Sequence, residues 1–274
     1  MRPPLPASHP ADVLIVEDNR VNQQVALGLL SRLGYHAVVV GDGLEAVQLL
    51  SRRRFDLVLM DIQMPVMDGL EATRVIRSAD SSVLDHDVPV VALTANAFAE
   101  VREQCLAAGF TDFLTKPVDG RQLAFALQKW IGARAASPAV LTASVMQIGA
   151  AGAEPVVDRA GLLERSLDDP ELAIDVLNAF LSECPQMTAA VEHALHEQQP
   201  AAAATAAHAL KGAAANAGAA QLRVTAAQIE RLAAAGRLQD ASAMLGLMSA
   251  QIEELFRVGP RVFESGPVRA GGSA

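Results

Sequence analysis

The sequence is poor in cysteine: Cys105 and Cys184 are its two, far apart and in no CxxC spacing. They suit a reducing compartment and read as small buried hydrophobes. No run of about 18 strongly apolar residues is present, which excludes an obvious transmembrane helix. The start, "MRPPLPASHP", holds four prolines and no apolar core, so it does not read as a signal peptide. Basic residues are scarce too, 22 against 31 acidic, for a net charge of −9. With no basic stripe interleaved with aromatics, that balance argues against nucleic-acid binding. No glycine-rich ATP-binding pattern occurs. The mean hydropathy of +0.24 comes largely from alanine and valine. A soluble, cytoplasmic chain without membrane insertion is the expectation.

What is present falls into two halves. Through residue 133, short apolar runs alternate with helical patterns: "VLIV" (13–16), "AVVV" (37–40), "LVLM" (57–60), "VPVVAL" (88–93) and "FL" within "TDFLTKP" (111–117). Continuous apolar strands are buried on both faces, as in a parallel sheet covered by helices. Five such units predict a doubly wound, flavodoxin-like α/β domain over 11–133. From 158 to 258 the strand signal disappears. Stripes at Leu172, Val176 and Phe180, at Leu222, Ala226, Ile229 and Ala233, and at Met244, Met248, Ile252 and Leu255 mark three amphipathic helices. With the alanine-rich 201–220 stretch they predict an antiparallel four-helix bundle. Pro185 falls inside the first stripe and predicts a kink or local adjustment there. Residues 134–157 read as a linker, and 1–10 and 259–274 as disordered ends.

In an open parallel α/β sheet, chemistry sits beyond the carboxyl ends of the strands. There the sequence places Glu17 and Asp18 after the first run, Asp61 after the third, Thr94 after the fourth and Lys116 after the fifth. Strand 2 ends blandly, at Gly41 and Asp42. Taken singly, such residues are ordinary helix caps or surface charges. Together, three carboxylates repel one another and call for a hard divalent cation, with Mg2+ the natural choice. An ionised carboxylate, the metal, an ammonium and a hydroxyl would suit a phosphoryl group.

The segments "VLIVEDNRVNQQV", "DLVLMDIQMPVMDGLEATRVIR", "PVVALTANA" and "DFLTKPV" resemble response-regulator receiver domains, in order and across 11–133. The resemblance implies Asp61 as phosphoacceptor, and Glu17, Asp18, Asp61 and the Gln63 backbone carbonyl as Mg2+ ligands. It further implies Thr94 as the hydroxyl that follows the phosphoryl group, Phe113 as switch aromatic and Lys116 as the site lysine.

The alanine-rich stretch "PAAAATAAHALKGAAANAGAA" carries His208, with Lys211 at i+3 and Gly212 at i+4 on the same face. A lone histidine is more often a tolerated core residue than a nucleophile. Glycine, however, costs about 1 kcal/mol against alanine in a helix interior. Gly212 therefore needs a reason, and access to the imidazole supplies one. Ala204 and Ala207 keep the neighbourhood open, and Lys211 offers charge for a phosphoryl group. "AHALKGAAANAGA" resembles the phosphoacceptor helix of histidine-containing phosphotransfer (HPt) domains. His193 and His196 fit the solvated end of a helix; His9, His36 and His86 receive no role.

The joint resemblance implies a phosphorelay intermediate that catalyses its own aspartyl phosphorylation and dephosphorylation and is no ATP-dependent kinase. A histidine kinase would be the phosphodonor to Asp61, and His208 would pass the group to a downstream response-regulator receiver. A phosphorylation-gated interaction module, or a phosphate sink, with His208 idle, is the alternative. Met1 and the lack of an upstream kinase core favour a freestanding protein over the end of a hybrid kinase. Val21, Asn22 and Val118 are the residues expected beside the site as exposed partner contacts.

Overall fold

The computed structural model describes residues 11–94, 99–132 and 154–263. The segments read as disordered at 1–10 and 264–274, and most of the 134–157 linker, lie outside the described residues. The chain divides into two compact units, Met1–Ile148 and Gly149–Ala274.

In the first unit the elements run β1 (Asp12–Val16), α1 (Arg20–Arg32), β2 (His36–Val40), α2 (Gly43–Leu50), β3 (Leu57–Asp61), α3 (Gly69–Arg77), β4 (Val90–Thr94), α4 (Ala99–Ala108), β5 (Asp112–Thr115) and α5 (Gly120–Ile131). All strand pairs are parallel, in the order β2-β1-β3-β4-β5. The strands follow from their composition: β3 and β4 are buried at every residue, as a central strand covered on both faces must be. Edge strand β2 is only half-buried. The helices start where short polar side chains can satisfy their free N–H groups. Asn19, Asp42, Asp68 and Asp119 each accept from the first turn of the helix that follows. Such a cap contributes about 1 kcal/mol. It also accounts for Asp42, the bland end of the second strand, which caps α2 through the Glu45 N–H.

This order puts the chain reversal between β1 and β3, where a crevice opens beyond the strand ends. Asp61 closes β3 and Thr94 closes β4, while Lys116 directly follows β5. Glu17 and Asp18 directly follow β1.

The second unit is helical: α6 (Arg159–Arg165), α7 (Pro170–His196), α8 (Pro200–Asn216), α9 (Ala220–Ala234), α10 (Leu238–Ser242) and α11 (Leu245–Val258). The expected four helices are α7, α8, α9 and α11; α6 and α10 are short additions. Pro185 lies inside α7, which continues through it. The Thr188 hydroxyl donates there to the carbonyls of Cys184 and Pro185, both at 3.0 Å. Ala203, Ala207, Ala213 and Ala214 of α8 are fully buried, because methyl groups let neighbouring helices approach closely. The expected boundary at 258 is too early. A 3-10 turn, Gly259–Arg261, follows, and Gly259 is buried against the Leu181 and Leu177 side chains of α7. A β-carbon at 259 would stand 3.3 Å from Leu181 Cδ1, so a glycine there lets the turn close on the bundle. Among the described residues, no helix is long and apolar enough to cross a membrane.

Candidate functional site

At the carboxyl edge of the sheet, the Lys116 ammonium is held between two carboxylates. Its Nζ donates to Glu17 Oε2 at 2.6 Å and to Asp61 Oδ2 at 2.7 Å. All three side chains are more than nine-tenths buried. Glu17, Asp18 and Asp61 each offer an oxygen within 4.8 Å of the others, with Asp18 at the exposed side. Burial pushes the Glu17 carboxyl up to about 7; the nearby Asp61 charge adds to this, and Lys116 opposes it. For Lys116 burial disfavours the charge, but the two carboxylates outweigh it and hold the amine above its ordinary value. One ammonium thus faces three carboxylates. An all-oxygen set with that surplus of negative charge fits a hard cation such as Mg2+.

The remaining residues around this edge hold it in place. The Gln63 N–H donates to Asp61 Oδ1 at 3.3 Å, and the Asn22 amide donates to Glu17 Oε1 at 2.8 Å. Gln23 Nε2 donates to the Glu17 carbonyl at 2.7 Å. Thr94 is buried at the end of β4. Phe113 is half-buried on β5, with the Arg102 guanidinium 5.5 Å from its ring centroid. The expectation for Val21, Asn22 and Val118 is overturned: they are 1%, 8% and 6% exposed. Asn19 caps α1 through the N–H groups of Val21 and Asn22, and this turn of the helix faces inward. Asn22 serves Glu17 and not a partner.

In the helical unit His208 has a partner that sequence spacing does not show. Its Nδ1 lies 2.6 Å from Oε1 of Glu230, on α9. A carboxylate only accepts, so Nδ1 carries the hydrogen, and in the neutral ring the lone pair is then on Nε2. Lys211 Nζ donates to the other Glu230 oxygen at 2.6 Å. It also lies 3.4 Å from His208 Nδ1, bringing positive charge to the ring. All three side chains are about three-quarters buried, at 23–24% exposure. Burial raises the Glu230 carboxyl, but the hydrogen bonds and charges of His208 and Lys211 outweigh it and hold it below the ordinary range. Gly212 is half-buried on α8, one turn beyond His208. The other described histidines have local partners or solvent. His36 Nδ1 lies 2.7 Å from Asp12 Oδ1, and His86 Nδ1 lies 2.8 Å from the Ile76 carbonyl. His193 and His196 are exposed in the last turn of α7.

One family match falls in each of the two units. Residues 13–128 match the response regulator receiver domain, and residues 175–257 match the Hpt domain. The chain is a receiver domain joined to an Hpt domain. Asp61 and Lys116 lie within the receiver match, and His208, Lys211 and Glu230 within the Hpt match. The relatives that match are longer proteins. Sensor protein GacS of Pseudomonas syringae pv. syringae is 36% identical over 233 residues, covering 84% of this chain and 25% of that protein. Probable histidine kinase 1 of Oryza sativa subsp. indica is 39% identical over 154 residues, 46% of this chain and 16% of that protein. This chain thus spans a quarter or less of the curated relatives it matches. Among solved structures, the receiver domain of a sensor histidine kinase from Pseudomonas aeruginosa is similar at 46% identity. The match covers 46% of this receiver–Hpt chain and 100% of that one, with a TM-score of 0.42; that structure has a magnesium ion in its active-site cleft.

Proposed function

We propose that this receiver–Hpt chain is a phosphorelay intermediate that exchanges a phosphoryl group between Asp61 and His208. The supporting observation is that each acceptor sits beside a charged partner suited to it: Lys116 at 2.7 Å from Asp61, and Glu230 at 2.6 Å from His208. A histidine merely tolerated by packing has no need of a carboxylate fixed in turn by a lysine.

In the receiver, Glu17, Asp18, Asp61 and the Gln63 carbonyl would hold Mg2+, which would offset charge on the phosphoryl oxygens. An Asp61 oxygen attacks phosphorus on a phosphohistidine of a histidine kinase. The O–P bond forms as the P–N bond breaks, and that electron pair returns to the imidazole nitrogen. Lys116 stabilises negative charge on the transferred group, and the Thr94 hydroxyl donates to it, with Phe113 following Thr94 as the switch. Hydrolysis of the same acyl phosphate would return Asp61 to its free state.

In the Hpt unit, the Nε2 lone pair of His208 forms the P–N bond as the P–O bond to Asp61 breaks. The electron pair of that bond returns to the Asp61 carboxylate. The ring gains positive charge, which Glu230 offsets through Nδ1–H, while Lys211 holds Glu230 in place at 2.6 Å. A downstream receiver takes the group in the reverse chemistry.

The test is phosphosite mapping after incubation with Mg2+ and acetyl phosphate, quenched in alkali to preserve phosphohistidine. Label is expected on Asp61 and His208 in the intact chain, and on neither in Asp61→Asn. Label confined to Asp61 would overturn the relay and favour a gating or phosphate-sink role.

A further inference from the structure

Val66 is the most exposed large hydrophobic side chain among the described residues, at 77%. It sits in the loop between β3 and α3, five residues after the phosphoacceptor Asp61. Its backbone has φ 67°, in the left-handed region that β-branched residues avoid. The Met67 N–H donates to the Pro65 carbonyl at 2.8 Å, closing a three-residue γ-turn with Val66 at its tip.

Such a conformation persists only when the surroundings impose it, and here they do. The Gly69 N–H bonds the Ile62 carbonyl at 3.0 Å, and the Gly43 N–H bonds the Met67 carbonyl at 3.2 Å. Gln63 is tied to Asp61 itself. The loop is therefore fixed at both ends and at the site. A glycine would take this φ without strain, and the valine side chain buries little in return. Neither folding nor the chemistry at Asp61 accounts for a valine at this position.

We infer that Val66 is a specificity-determining contact for the helix that presents a reactive histidine to Asp61. The inference rests on the relay reading above. Helix α8 is this chain's own example of such a helix. One turn to either side of His208 on its face stand Ala204, Thr205 and Gly212, none of them fully buried, and Lys211, whose ammonium is turned onto Glu230. Small side chains there leave room for an isopropyl group to approach the backbone, whereas a small-molecule donor needs no such contact. Val66 thus separates protein donors and acceptors from small ones. It takes the role that Val21 and Val118, being buried, cannot fill.

The test uses the full chain with Mg2+ and acetyl phosphate, following label on Asp61 and His208 over time. Val66→Gly relieves the backbone and removes the side chain; Val66→Glu keeps a side chain but makes it charged. In both variants Asp61 is expected to label at the wild-type rate, while label reaches His208 about tenfold more slowly, the size of a contact that matters at an interface. Val66→Ile, which keeps the apolar tip, is expected to retain transfer. Wild-type transfer in both Val66→Gly and Val66→Glu would overturn this inference alone. So would a fall in Asp61 labelling in step with His208, which would place Val66 in the chemistry itself. Absence of label on His208 in the wild type would overturn the relay reading and this inference with it.

Discussion

Glu230→Ala is expected to slow phosphorylation of His208 through Asp61 by about 10²-fold, the low end of what a positioned acid–base group supplies. Asp61 labelling by acetyl phosphate should be unchanged. Glu230 receives Nδ1–H at 2.6 Å, which fixes the ring orientation and points to Nε2 as the attacking nitrogen of the proposed transfer. Without it, the free ring divides between two tautomers and turns about its side-chain bonds. Lys211 also loses the carboxylate that it meets at 2.6 Å. Its ammonium would then stand beside a ring that must itself become positive. Glu230→Gln keeps an acceptor for Nδ1–H but no charge, so an intermediate rate is expected. Equal rates for the three proteins would show that neither tautomer nor charge limits transfer.

The same pair carries a pH dependence. Despite burial, His208 and Lys211 hold the Glu230 carboxyl below its ordinary value. Its contribution to stability is therefore present above the ordinary Glu range. It is lost as pH falls through the lowered value, where the folded state must also take up the proton. Unfolding of wild type and Glu230→Gln, followed across acidic pH, should show this dependence in the wild type and its loss in the variant.

Gly69→Ala is expected to destabilise the receiver unit by about 3 kcal/mol, at the upper end for overpacking. That corresponds to a melting temperature lower by about 10 °C. A β-carbon at position 69 would lie 2.1 Å from the Asp61 carbonyl oxygen, and 3.0 Å from both Asp61 C and Ile62 Cα. All three are backbone atoms, so no rotamer change gives relief. Alanine's better helix propensity, about 1 kcal/mol over glycine, is too small to compensate. Because the strained contact is with Asp61 itself, labelling by acetyl phosphate should fall as well. Gly246→Ala is the contrasting case: nothing lies within 4 Å of a β-carbon there, on α11. That change is expected to stabilise the Hpt unit by about 0.5–1 kcal/mol. Thermal unfolding of the two variants separates them by sign, and an unchanged melting temperature for Gly69→Ala would show that the loop yields.

The receiver fold and its five polar strand-end residues were legible in the chain alone, for a specific reason. Apolar runs that are buried on both faces make a parallel sheet, and a parallel sheet sends every strand's carboxyl end to the same edge. Glu17, Asp61, Thr94 and Lys116 needed no further information to be grouped. His208 was legible as a candidate because Lys211 and Gly212 lie on its own helix, at the spacing of one turn.

Tertiary structure decided what spacing along one element cannot carry. Glu230 meets His208 from another helix, and no periodicity relates the register of α8 to that of α9. The inward-facing turn at Val21 and Asn22 depends on how α1 packs against the sheet, since a single turn has no hydrophobic period of its own. The positive φ of Val66 belongs to a loop tied at both ends, with nothing in a valine to announce it. Gly259 joins the bundle because Leu181 and Leu177 of α7 leave space for a turn without a side chain. In each case the deciding partner lies elsewhere in the chain, and packing alone brings it into contact.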